Sequence, residues 1–120
     1  MSKRIGIWVR VSPTRDENES PDHHLHRARS YADSRGWSVT EVYMLESVSG
    51  KTVHEHPEMD RMLSDIRSGH IEGLIFSSLA RLARKKSTLW DVVELFRKKN
   101  AALVCLDMNL DTATPSGELL

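Results

Sequence analysis

The sequence predicts an α/β domain of three layers, a mainly parallel central sheet of four to five strands flanked by helices. Apolar stretches that read as strands alternate along the chain with amphipathic stretches of helix length, which calls for a parallel sheet covered on both sides. The strand candidates are short, β-branched and bounded by polar residues. The helix candidates open on proline or a capping residue and close on glycine or asparagine. At 120 residues the chain amounts to one domain, and it carries no linker and no internal repeat.

Lys3 to Val11 opens the series, with Ile5, Ile7 and Val9 alternating as in a strand. Ser20-Pro21-Asp22 is a helix start: a capping hydroxyl, a proline whose missing N–H costs nothing there, and an acid at the positive end of the dipole. Leu25, Ala28, Tyr31 and Ala32 form that helix's apolar face, and Gly36 ends it. Ser38 to Leu45 is the second strand, followed by a loop around Ser47 to Lys51. Pro57 begins the next helix, with Met59, Met62, Leu63 and Ile66 at helical spacing and Gly69 as its stop. Glu72 to Ser78 carries Leu74-Ile75-Phe76, a continuous apolar run suited to a strand covered on both faces.

After the segment Leu79 to Lys86, a helix is predicted from about Ser87, striped by Leu89, Val92, Val93 and Phe96 and stopped at Asn100. Ala102 to Leu106 is the last buried strand. Thr114-Pro115-Ser116-Gly117 again has the look of a helix start, so residues 1–120 are expected to be a piece of a longer protein.

Composition narrows the function. Apolar residues are 39% and charged residues 28%, ordinary for a soluble domain that buries roughly two-thirds of its unfolded surface without staples. A single cysteine, Cys105, excludes a disulfide framework within the chain and fits a reducing compartment. No apolar run approaches the roughly 18 residues of a membrane span, and the start of the chain is unlike a signal peptide. A soluble, cytoplasmic protein with no membrane partner is therefore expected.

Seventeen basic residues face 17 acidic ones, which rules out a uniformly basic coat. Residues 81–99 nevertheless hold seven cations (Arg81, Arg84, Lys85, Lys86, Arg97, Lys98, Lys99) against Asp91 and Glu94, an excess of five. Such a local excess marks either a phosphate site or simply a solvated helix face.

Ligands of open α/β sheets meet the carboxyl ends of the strands. The first strand ends in Arg10-Val11-Ser12, and the third leads into Leu79-Ala80-Arg81-Leu82-Ala83-Arg84. Arg10 and Ser12 share a side by the two-residue period of a strand, and Arg81 and Arg84 share a face if their segment is helical. A hydroxyl ringed by guanidinium groups suits attack on a phosphodiester, because each planar fork binds two phosphate oxygens and holds the charge that builds at phosphorus. With three arginines and no carboxylate cluster, the rim is unlike that of a magnesium-dependent nuclease.

The other chemistry-bearing residues read as structural. His23, His24, His26, His54 and His56 offer no pair at the spacing of a helical metal site, so surface histidines and no metal are expected. Cys105 reads as a buried strand residue, Trp8, Trp37 and Trp90 as packing residues, and Met59 and Met62 as core or subunit-contact residues. No glycine-rich nucleotide loop is present, and no cofactor is expected.

Ile7-Trp8-Val9-Arg10-Val11-Ser12 resembles the R-V-S opening of the serine site-specific recombinases, the family of resolvases, invertases and large phage integrases. Arg29 to Trp37, Ser49-Gly50, Pro57 to Gly69, Leu79 to Arg84 and Asp111 to Gly117 resemble its later blocks in order, so the similarity spans essentially the whole chain. The resemblance implies a resolvase-like catalytic domain over residues 1–120, truncated at the start of a dimerisation helix. It implies that Ser12 is the nucleophile, joined to the 5′ end of cut double-stranded DNA as a phosphoserine. Arg10, Arg81 and Arg84 match the arginines that bind the scissile phosphate. The covalent bond conserves the energy for rejoining, so neither ATP nor metal is implied. In such proteins a homodimer assembles into a tetramer for strand exchange.

Ala80 stands where the family usually has aspartate, and His56 where it usually has arginine. Glutamines common after the nucleophile are replaced by Asp16 or Glu17 and by His24, whereas acidic positions at the ends of strands two and three persist as Glu46 and Glu72. His56, Glu46 and Glu72 are thus candidate supporting residues. The alternative function is a catalytically weakened, DNA-associated or assembly module on the same fold. Residues 1–120 alone are expected to be poorly active.

Overall fold

The first strand sets the architecture. In the computed structural model, which describes residues 3–11, 21–46, 56–108 and 110–112, strand β1 spans Arg4–Val11. Ile5, Ile7 and Val9 pack to one side, and Trp8 packs to the other with Arg10 at the same parity. Every residue from Ile5 to Arg10 is buried, so β1 must lie inside the sheet with both faces covered.

Along the chain follow α1 (Pro21–Ser34), β2 (Ser38–Glu46), α2 (Pro57–Ser68), β3 (Gly73–Phe76), the short α3 (Leu79–Leu82), α4 (Lys86–Lys98) and β4 (Ala102–Cys105). A 3-10 turn, Leu106–Met108, then leads to β5, Leu110–Asp111. The sheet order is β2-β1-β3-β4-β5, with β1 to β4 parallel and β5 antiparallel to β4.

Helix α1 lays Ala28 and Ala32 on the face formed by Ile5, Ile7, Val9, Ile75 and Val104. Helices α2 and α4 cover the opposite face, Met59, Met62 and Ile66 from one and Val92 and Phe96 from the other meeting Trp8, Tyr43 and Phe76. The chain therefore changes sides of the sheet after β2, and β1 and β3 flank the point of reversal. In open α/β sheets that point is where a crevice opens beyond the carboxyl ends of the strands.

The expected strands and helices form, each within a residue or two of its predicted bounds, with β3 shorter than the apolar run that announced it. Gly69 closes α2 in the left-handed region (φ 81°), and Asn100 stands past α4 in the same region (φ 58°). The capping role assigned to Ser20, the loop 47–51 and the helix start at 114–117 lie outside the described residues. No helix among the described residues is long and apolar enough to cross a membrane.

Two expectations fail on details of packing. Trp90 is 63% exposed and does not pack in the core, because it sits one residue off the Leu89–Val93–Phe96 stripe of α4. His24 is not a surface histidine: both of its ring nitrogens are buried, while His23 and His26 are exposed. Cys105 is a buried free cysteine, as expected, and burial pushes its thiol pKa up.

Candidate active site

Two side chains of β1 converge on the end of α3. A four-residue helix leaves its last carbonyls without partners inside the helix. Here they are met from the strand: Trp8 Nε1 donates to the Arg81 carbonyl at 2.9 Å, Arg10 Nε donates to the same oxygen at 2.9 Å, and Arg10 Nη2 donates to the Ala80 carbonyl at 2.7 Å. Only 2% of Arg10 is exposed, so its permanent charge is held at the rim by fixed carbonyl dipoles. Ser78 fixes the other end of α3, its hydroxyl accepting from the Arg81 backbone N–H at 3.4 Å. Arg81 is half-buried and anchored through its own backbone.

The Arg10 side chain thus meets the Arg81 backbone at the carboxyl ends of β1 and β3, beside the reversal point of the sheet. Arg84 does not share a helical face with Arg81, because α3 stops at Leu82 and Ala83 is extended (φ −170°, ψ 146°). Arg84 is exposed. Ala80 is also exposed, and its carbonyl, whatever its side chain, is the group that Arg10 uses.

The first turn of α1 approaches this rim as well. Burial and then the positive charge of Arg81 hold the His24 pKa below its ordinary value, with His23 and Arg27 pushing the same way and Asp107 opposing. Arg27 pairs with Asp107 at 2.9 Å, and the Asp107 backbone N–H donates to the Ser77 carbonyl at 2.8 Å, tying α1 to the turn after β4. The sequence marks His24 as a departure from a family pattern and reads it as a surface histidine; the burial of its ring nitrogens is a tertiary fact.

The remaining candidates lie apart. Ser12 and the side chain of Glu46 are outside the described residues, as are Asp16, Glu17 and His54. His56 caps α2, its Nδ1 accepting from the Glu58 backbone N–H at 3.0 Å. Glu72 does not end strand three but precedes it, and so stands at the amino pole of the sheet, opposite the arginine rim. There its carboxylate accepts from the Arg4 backbone N–H at 3.0 Å. That bond holds the Glu72 pKa below the usual carboxylate value. A cavity of about 290 Å³ at the same pole is lined by Lys3, Arg4, Arg67, Glu72 and Lys99. Arg4 is spent there on the Gly69 and His70 carbonyls at the end of α2.

Among the described residues, Glu41, Asp65 and His70 offer ligand atoms within 4.8 Å of one another. Their atoms are already engaged: His70 Nε2 lies 2.8 Å from Glu41, Tyr43 donates to Asp65 at 2.6 Å, and Arg61 donates to Glu41 at 2.6 Å. The set is an ion-pair network with a guanidinium at its centre.

Arg10, buried, and Arg81, half-buried, stand at the reversal point of a parallel sheet, where ligands of open α/β folds bind. The chain belongs to the resolvase family of serine recombinase catalytic domains: the family model for the resolvase N-terminal domain matches residues 5–120. Among solved structures, the N-terminal catalytic domain of TP901-1 integrase is similar at 31% identity and a TM-score of 0.84, over 96% of this chain and 86% of that one. A resolvase family site-specific recombinase from Streptococcus pneumoniae shares the fold at 20% identity and a TM-score of 0.76, over 96% and 79% of the two chains. An uncharacterized immunity region protein 3 of Bacillus phage phi105 is 33% identical over 69 residues, 56% of this chain and 83% of the relative.

Proposed function

We propose that the chain is the catalytic domain of a DNA site-specific recombinase and that Ser12 is its nucleophile. The Ser12 oxygen forms a bond to the scissile phosphorus as the bond from phosphorus to the 3′ oxygen breaks. The serine proton passes to solvent, and the 3′ oxygen takes up a proton and leaves as a hydroxyl. The 5′ phosphate stays on the protein as a phosphodiester to serine, and attack by a 3′ hydroxyl reverses the step in a new pairing of ends. Arg10, Arg81 and Arg84 bind the phosphate oxygens and the charge that develops on them. Strand exchange proceeds in a tetramer built from two homodimers.

The observation that carries this reading is the bond from Arg10, two residues ahead of position 12, to the backbone carbonyl of Arg81, which brings the end of β1 and the helix bearing Arg81 together beside the reversal point. Family membership and the likeness to the TP901-1 integrase domain support it. The departure at Ala80 leaves the arginine contact intact, because Arg10 uses a backbone carbonyl there.

The test is to trap a covalent adduct between the full-length protein and sheared genomic DNA under denaturing conditions. Adduct with the parent and none with Ser12→Ala is the expected result. Equal adduct from the two proteins would overturn the assignment, and its absence from the parent would favour the assembly module.

A further inference from the structure

We propose that His24 is a phosphate-binding group of the reaction centre, whose ring donates a hydrogen bond to a DNA phosphate oxygen when the substrate is bound. The inference rests on the recombinase reading above and extends its phosphate site to α1. Both imidazole nitrogens of His24 are buried, and neither has a hydrogen-bond partner among the described residues. Native proteins pair nearly all such atoms, and leaving one unpaired is costly. His24 could avoid that cost by turning outward, as His23 and His26 on the same turn do. An unpaired buried donor beside a substrate site is accounted for by a partner that arrives with the substrate.

The surroundings specify what that partner is. The titratable and charged groups facing His24 are His23 and Arg27 of α1, Arg81 after β3 and Asp107 of the turn after β4. Asp107 is committed to Arg27. A ring beside Arg81 and Arg27, with no acceptor bonded to it among the described residues, complements an anionic oxygen. The residue as a whole is half-buried, so rotation about its side-chain bonds brings a nitrogen to an incoming ligand.

In the free protein burial and then the Arg81 charge disfavour the protonated form of the ring. A bound phosphate offsets that charge and favours the imidazolium. DNA binding therefore draws a proton from solvent, and affinity rises as the pH falls between the pKa of the complex and the lower pKa of the free protein.

Two measurements on the full-length protein test this. Imidazole titration followed by NMR, with and without a short DNA duplex, reads His24 directly. Its pKa is expected to lie below 6.5 in the free protein and to rise with DNA; a titration unaffected by DNA overturns the proposal. Adduct yield is then followed against pH. His24→Phe should lower it about 10-fold, the scale of one hydrogen bond to a charged group. His24→Gln, which keeps an N–H, should retain more than His24→Phe and lose the rise at lower pH. Parental yield from His24→Phe, or a persisting rise in His24→Gln, overturns the proposal. Persistence of adduct in Ser12→Ala instead overturns the nucleophile, and the NMR titration still reports on His24 independently.

Discussion

Arg10 is the residue on which position and charge are joined. Its guanidinium reaches two carbonyls of α3 at once, a geometry that a single ammonium cannot reproduce. Arg10→Lys should cost about 1–2 kcal/mol in urea denaturation, one lost hydrogen bond to a charged group, as well as most adduct formation. Unchanged stability would mean that the carbonyl contacts contribute nothing net. Gly73 is a second position where the residue type is fixed, for steric reasons. A Cβ there would lie 2.8 Å from Ile5 Cδ1 and 3.1 Å from the Ala102 carbonyl oxygen, and the latter is backbone of the paired strand. Gly73→Ala should destabilise the protein by about 1–3 kcal/mol, read as a lower thermal midpoint. The glycine itself is visible in the sequence, but the neighbour it accommodates is not.

Among the elements, α2 is the most legible in the sequence. Proline at its first position, four apolar residues at helical spacing and Gly69 after its end are local signals, and the helix runs Pro57–Ser68 as those signals require. Removing the cap in His56→Ala should cost about 1 kcal/mol of stability, with the helix start fraying in hydrogen exchange. Helix α3 is the least legible. Four residues give no periodicity, and its end is fixed by Trp8 and Arg10 from a strand some seventy residues earlier. The same limit hides β5, two residues long, which is held by pairing to β4 and by the bond from Tyr31 to Asp111. Propensity cannot announce an element whose stabilising contacts are all distant.

At the scale of the molecule, Arg61 locks helix α2 onto β2. It donates to Glu58 at 2.7 Å, to Glu41 at 2.6 Å and to the Val42 carbonyl at 3.0 Å, and its guanidinium lies 4.3 Å above the Tyr43 ring. The Glu58 pKa is lowered first by Arg61, and that of Glu41 by His70 and then Arg61. Carboxylates with depressed pKa values stabilise the fold above their unfolded value of about 4.5, and that contribution is lost as the pH falls through the lower folded values. Arg61→Ala should therefore cost about 1 kcal/mol at neutral pH, after screening of a partly exposed network, and should flatten the loss of stability below pH ~4.5. A parental acid limb in the variant would place the sensitivity elsewhere. DNA association by residues 1–120 should be weak, and salt-sensitive with only a shallow slope in a filter-binding titration, since few phosphate contacts are available to release counterions.

What the sequence determined alone was the alternation of strand and helix, the two ends of α2 and the identity of the family, because these rest on local chemistry and on ordered motifs. It also marked Arg10, Arg81 and Arg84 as charges near strand ends. Only the tertiary structure decided where each of them goes: Arg10 is tied to the backbone of Arg81, the helix gives way to extended chain at Ala83 before Arg84, Glu72 stands at the other pole, and His24 buries its ring nitrogens near Arg81. Each of those facts depends on where the chain runs in space. How layers stack and strands order themselves decides that, and no window of neighbouring residues contains the information.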